Sequence, residues 1–159
     1  MATTFFSIGA NLGDRQKNIE QAICLLKERA GRCVKISDFY ASEAWGFVSK
    51  NEFLNIAAEF ETDLQPIDLL HVTRKIEREL GRIHKTANGT YSDRIIDIDI
   101  LFYANEVIDL PELKIPHPLL HKRSFVLVPL AAIAPKWQHP VLNKTVVQLL
   151  QALTSASQF

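Results

Sequence analysis

The sequence predicts an α+β domain with a ferredoxin-like βαββαβ core, a mainly antiparallel sheet with helices packed against it and extra C-terminal helices. Three observations lead there. The chain has 159 residues, enough for one domain with a sizeable core. Apolar residues switch between a period of two and helical spacing in the order strand, helix, strand, strand, helix, strand. That order is the split βαβ arrangement, and two further helical patterns follow it.

Thr3 to Ile8 reads as the first strand, and Gly9-Ala10-Asn11-Leu12-Gly13 as a turn with Asp14 as the cap of the next helix. Ile19, Ile23, Leu26 and Ala30 recur at helical spacing, and Gly31 stands where a helix stops. Val34 to Ser42 is the second strand, 43–52 a polar loop with Trp45, and Phe53 to Glu61 the third strand. Pro66 suits the first position of a helix whose stripe is Leu69, Val72, Ile76 and Leu80, with Gly81 at its end. Residues 82–93 lack periodicity, and long loops in compact domains are usually functional. Arg94 to Tyr103 is expected to be a central strand, and Glu106 to Ile108 a short one. Pro111 to His121 reads as a proline-punctuated loop, and Phe125 to Ile133 and Thr145 to Leu153 as short helices.

Hydrophobic residues make up 47% of the chain and the formal net charge is zero, which argues against broad attraction to nucleic acid or anionic membrane. The longest apolar run, Phe125 to Pro135, is too short to span a bilayer. No basic leader precedes Phe5-Phe6-Ser7-Ile8. The two cysteines, Cys24 and Cys33, have no metal-ligand spacing and are read as reduced, as in a cytoplasmic protein.

Arg94-Ile95-Ile96-Asp97-Ile98-Asp99-Ile100-Leu101 carries the chemistry. A period of two puts Asp97 and Asp99 on one face and the isoleucines on the other. This is also the pattern of a half-exposed strand. Paired carboxylates, however, repel each other and destabilise a sheet unless they share a cation. Two carboxylates plus phosphate oxygens suit magnesium. Arg82, Lys85, Arg94, His117, Lys122 and Arg123 lie nearby in sequence, and arginine forks grip phosphate oxygens in pairs. Gly9 to Gly13 lacks the Lys-Ser/Thr of a Walker loop and reads better as a tight turn. His117, between two prolines, is either a phosphate donor or a structural loop histidine. Trp45, Phe53 and Phe125 can stack on a flat heterocycle or serve as core. Asn55 shares a strand face with Phe53 and can hydrogen-bond a heterocycle edge.

These residues resemble the 6-hydroxymethyl-7,8-dihydropterin pyrophosphokinase family of folate biosynthesis. The resemblance runs from Ser7-Ile8-Gly9-Ala10-Asn11-Leu12-Gly13-Asp14 through Phe53-Leu54-Asn55, Ile76-Glu77, Gly81-Arg82, the block Arg94 to Leu101 and Pro116-His117-Pro118 to Arg123-Ser124-Phe125-Val126-Leu127-Val128-Pro129-Leu130. It implies a single 1–159 pyrophosphokinase domain that transfers pyrophosphate from ATP to the pterin hydroxymethyl oxygen and releases AMP. It further implies that Asp97 and Asp99 hold two Mg²⁺ ions and that Arg82 and Arg94 stabilise the transferring group. Glu77, Lys85, Ile100, His117 and Arg123 would bind ATP, and Trp45, Phe53, Asn55 and Phe125 the pterin. The expected molecule is a monomer with no nucleic-acid or membrane partner. Tyr91-Ser92-Asp93 departs from the tryptophan and Gly-Pro common before the signature arginine, and the 42–46 segment lacks the prolines common there. Two alternatives are a two-metal nucleotidyltransferase, which would need a basic groove, and a non-catalytic small-ligand-binding regulatory module.

Overall fold

The structure is a computed structural model and describes residues 1–42, 52–81 and 95–156. Its elements are β1 (Ala2–Ala10), α1 (Arg15–Arg29), β2 (Arg32–Ile36), β3 (Tyr40–Ser42), β4 (Phe53–Thr62), α2 (Pro66–Gly81), β5 (Asp97–Tyr103), β6 (Ile108–Asp109), β7 (Lys114–Ile115), α3 (Ser124–Ile133) and α4 (Val146–Ala156). The main sheet runs β2-β4-β1-β5 with β3 also paired to β4, and every pairing is antiparallel. The α+β class, the antiparallel sheet and the βαββαβ succession of core elements are as predicted.

Strand alternation sends two sets of side chains to opposite faces. Phe6, Ile8, Ile56, Ala58, Phe60, Ile98 and Ile100 meet the apolar stripes of α1 and α2, including Ile19, Leu26, Leu69 and Ile76. Phe5, Ala57 and Leu101 point the other way, and the C-terminal helices close over them through Val126, Leu127, Leu130, Val146 and Leu149. Trp137 packs edge-on against Phe5 at 4.9 Å between ring centroids. The tail helices thus bury the second face of the sheet.

Local signals read from the sequence hold in several places. Asp14 caps α1, its side chain accepting from the Lys17 N–H at 3.1 Å. Gly31 follows the C-terminal residue Ala30. Its need for glycine is a close approach: any Cβ there would overlap the Glu61 carbonyl.

Three strand expectations are corrected. The unbroken strand expected over 34–42 is two strands. At the break the Ser37 hydroxyl accepts the Ala57 N–H at 2.9 Å, so a side chain replaces part of the ladder. Glu106 to Ile108 is not the short strand. Ile108–Asp109 pairs with Lys114–Ile115 in a hairpin tied by the Lys114–Asp109 ion pair, and two-residue strands are too short to show a period. The expected central strand is an edge strand. Among the described residues β5 pairs with β1 alone. Its outer edge meets side chains and loop instead, and this brings the site together.

Candidate functional site

β5 begins at Asp97, and Asp97 and Asp99 are both half-buried on the face away from α1 and α2. Two groups converge on Asp99. His117 Nε2 lies 3.8 Å from Asp99 Oδ2, and Arg123 Nη1 lies 3.9 Å from the same oxygen. His117 is delivered by the loop after β7, whose backbone N–H at 117 donates to the Leu101 carbonyl on the outer edge of β5 at 3.0 Å. Arg123 sits at the start of α3, where its carbonyl accepts from Val126 and Leu127. Its guanidinium is buried and lies 5.6 Å from the centre of the Phe125 ring.

His117 is neutral in this setting. Burial, and then the neighbouring Arg123 cation, push its pKa down to about 4 against the pull of Asp97. Its Nδ1 accepts the Leu119 N–H at 3.2 Å, so the ring proton resides on Nε2 and points toward Asp99. The contact with Asp99 is therefore a donor aimed at a carboxylate across more than hydrogen-bond distance.

On the outer edge of β5, Glu77 of α2 accepts the Ile98 N–H at 2.9 Å. Burial first, and then the adjacent Asp97 and Asp99 charges, raise its carboxyl pKa from 4.5 to about 8, against the Ile98 hydrogen bond. Three carboxyl groups thus crowd one strand end. That crowding is the observation that fits a divalent cation: a hard cation would relieve it, and the donors are oxygens. Among the described residues there is no closed cluster of three or more protein ligands, so further coordination positions would fall to a substrate or water.

Glu77 allows one test in magnesium-free buffer. Glu77→Ala leaves the Ile98 N–H without its acceptor and is expected to cost about 1–2 kcal/mol of stability, read by denaturant unfolding. Glu77→Gln keeps an acceptor and removes the charge. A raised folded-state pKa means that wild-type stability falls as pH rises from 4.5 towards about 8. In Glu77→Gln that part of the pH dependence should disappear; an unchanged slope would contradict the charge crowding.

A cleft of about 400 Å³ opens beside these groups, between α2 and the β6–β7 hairpin. Leu70, Arg74 and Glu77 form one wall, Leu113 faces them, and Asp97 to Ile100 line it from β5. Leu70 and Arg74 escaped the sequence reading, although helical spacing puts both on the side of α2 that carries Glu77.

Phe53 and Asn55 stand across β1 from the aspartates. Phe53 is half-buried and Asn55 is only 3% exposed. The Asn55 side-chain nitrogen donates to the Ser42 hydroxyl on β3 at 3.3 Å, a contact for which the sequence offers no signal. Phe125 is half-buried at the start of α3. The structure therefore brings Glu77, Asp97, Asp99, Ile100, His117 and Arg123 together on one side, with Phe53 and Asn55 on the other. Trp45, Arg82, Lys85 and Arg94 lie outside the described residues.

A family model described as 7,8-dihydro-6-hydroxymethylpterin-pyrophosphokinase matches residues 5–135. The chain belongs to this family. The expected pyrophosphokinase class is therefore met, and with it the family's reaction, pyrophosphate transfer to a hydroxymethyldihydropterin in folate biosynthesis. A Porphyromonas gingivalis 2-amino-4-hydroxy-6-hydroxymethyldihydropteridine pyrophosphokinase is 46% identical over 141 residues, covering 88% of this chain and 95% of its own. The Aquifex aeolicus protein of the same name is 44% identical over 144 residues, covering 91% and 88%. A crystal structure of wild-type Plasmodium falciparum HPPK-DHPS with pterin and p-hydroxybenzoate superposes with a TM-score of 0.77 at 19% identity, which speaks for the fold. It covers 99% of this family member, which spans only 44% of that longer chain. No helix among the described residues is long and apolar enough to cross a membrane.

Proposed function

We propose that this chain transfers the pyrophosphate of ATP to the hydroxymethyl oxygen of 6-hydroxymethyl-7,8-dihydropterin. The substrate oxygen bonds to the β-phosphorus, the bridge to the α-phosphate breaks, AMP leaves with that electron pair, and the hydroxyl proton passes to solvent. The observation that carries the reading is the Asp97–Asp99 pair, with a neutral His117 and the buried Arg123 both directed at Asp99.

Asp97 and Asp99 would hold two magnesium ions with the ATP oxygens. When bound, these neutralise the triphosphate charge and polarise the phosphoryl oxygens. The cleft walled by Leu70, Glu77 and Ile100 suits the nucleotide. His117 Nε2–H donates a hydrogen bond without adding charge, while Arg123 supplies a permanent cation. From their sequence positions, Lys85 grips phosphate, and Arg82 and Arg94 stabilise charge on the transferring group. Phe53 and Phe125, with Trp45, sandwich the pterin ring, and Asn55 reads its edge. Positioning and electrostatics would carry the rate, because phosphoryl-type transfer needs little covalent chemistry from the protein. The protein would act as a cytoplasmic monomer.

The test is product identity. The chain, ATP, magnesium and the hydroxymethyl dihydropterin should yield AMP and the pterin diphosphate in equal amounts, followed by phosphorus NMR. ADP or free pyrophosphate as the co-product would point to a different transfer. Binding without turnover would point to a regulatory module.

A further inference from the structure

Gly9 is a glycine whose backbone does not need one. It lies inside β1, the central strand between β4 and β5, and its φ is not positive. A strand-interior glycine weakens a sheet and often marks a close approach. The close approach here is specific. A Cβ built at Gly9 would overlap Asn55 Oδ1 and stand 3.4 Å from Asn55 Cγ, with its next neighbour, the Leu54 carbonyl, at an ordinary 3.6 Å. The Asn55 carboxamide thus lies over the space that any other residue's side chain would fill. From the other side it is held by its hydrogen bond to Ser42 on β3.

The register shows why that space matters. Gly9 is directly opposite Asn55 on β4 and directly opposite Asp97 on β5. Facing residues of an antiparallel ladder share a face, so Asn55, Gly9 and Asp97 form one row across three strands. Strands lie about 4.8 Å apart, so the row spans about 10 Å with its middle position empty. One end is the heterocycle-reading amide and the other a metal-binding carboxylate.

Granting the pterin site proposed above, we infer that Gly9 is a positioning residue for the acceptor substrate, which acts by letting the Asn55 carboxamide settle across β1 in the orientation set by Ser42. The wrong side chain at residue 9 does not break the strand. It turns Asn55 away, because the atom it meets is the end of a side chain that can rotate. The effect belongs to the pterin and not to ATP, whose cleft lies on the outer edge of β5.

The test uses the full chain with Gly9→Ala, Asn55→Ala and the double variant. Gly9→Ala should fold with an unfolding midpoint close to wild type, since the gain from replacing a strand glycine offsets the loss of the Asn55–Ser42 hydrogen bond. Its KM for the dihydropterin should rise about tenfold, the scale of a lost neutral hydrogen bond, with KM for ATP moving less than about twofold. In the double variant Gly9→Ala should add nothing to Asn55→Ala, because its target is gone. An unchanged pterin KM, or multiplying effects in the double variant, would overturn the inference. So would an equal loss for both substrates with a lowered midpoint. A separate readout needs no substrate. The Asn55 side-chain amide signals in a ¹⁵N correlation spectrum, assigned by their loss in Asn55→Ala, should move in Gly9→Ala; signals that stay put sink the clamp. A wild-type protein that makes no AMP from ATP and the pterin sinks the pterin reading instead.

Discussion

Asp97→Ala and Asp99→Ala are each expected to lower turnover by about three orders of magnitude or more, with the fold intact. The reason is that phosphoryl-type transfer leans on charge neutralisation, and these are the two carboxylates that share the open face of β5. Survival of the fold follows from the same geometry. Both side chains are half-buried outside the core, while Ile98 and Ile100 hold the strand against α2. Removing Asp97 also takes away a charge and a hydrogen-bond acceptor that hold the Glu77 pKa up, so the Glu77 pKa should fall in the magnesium-free Asp97→Ala variant. The two variants should differ in a secondary effect. Asp99 Oδ2 lies within 4 Å of both His117 Nε2 and Arg123 Nη1. Asp99→Ala should therefore disturb nucleotide affinity more than Asp97→Ala does. Steady-state kinetics at saturating magnesium, with thermal unfolding as the control, decides this. Near-normal kcat in either variant would remove the metal assignment.

Arg123→Ala is expected to raise KM for ATP by about a hundredfold, the scale of losing a buried charged hydrogen-bonding group. Arg123→Lys should recover little of it. The guanidinium is planar, lies against Phe125 and reaches Asp99 from a buried position, whereas an ammonium is a strongly hydrated point charge. Loss of the cation also removes one of the influences that keep His117 neutral, so the His117 pKa should rise in Arg123→Ala. NMR titration of the His117 ring would read this directly. An Arg123→Ala enzyme with normal ATP affinity and an unmoved His117 pKa would show that Arg123 serves packing alone.

Much of this was legible in the sequence because it depends on local geometry. The acid–isoleucine alternation at 96–100 placed two carboxylates on one face. The stripes at Ile19, Ile23 and Leu26, and at Leu69 and Ile76, marked the buried faces of α1 and α2. Asp14 was legible as a cap because the Asp14–Lys17 contact spans a single turn. Ser37 was not, because its hydroxyl takes the place of a ladder bond to a residue on another strand. The β6–β7 hairpin was missed because two-residue strands leave no period to detect.

What the sequence determined by itself is which residues share a face, since a strand's period of two and a helix's 3.6 follow from backbone geometry alone. It determined the pair at Asp97 and Asp99 and, through motif order, the family. Only the tertiary structure decided that β5 is an edge strand. That position exposes its outer hydrogen-bonding groups to Glu77 and to the backbone of His117. Only tertiary structure set Asn55, Gly9 and Asp97 in one row, and aimed His117 and Arg123 at a single oxygen. The reason is register: it is settled by burial of both sheet faces at once, and a shift of one residue would send every side chain to the wrong side.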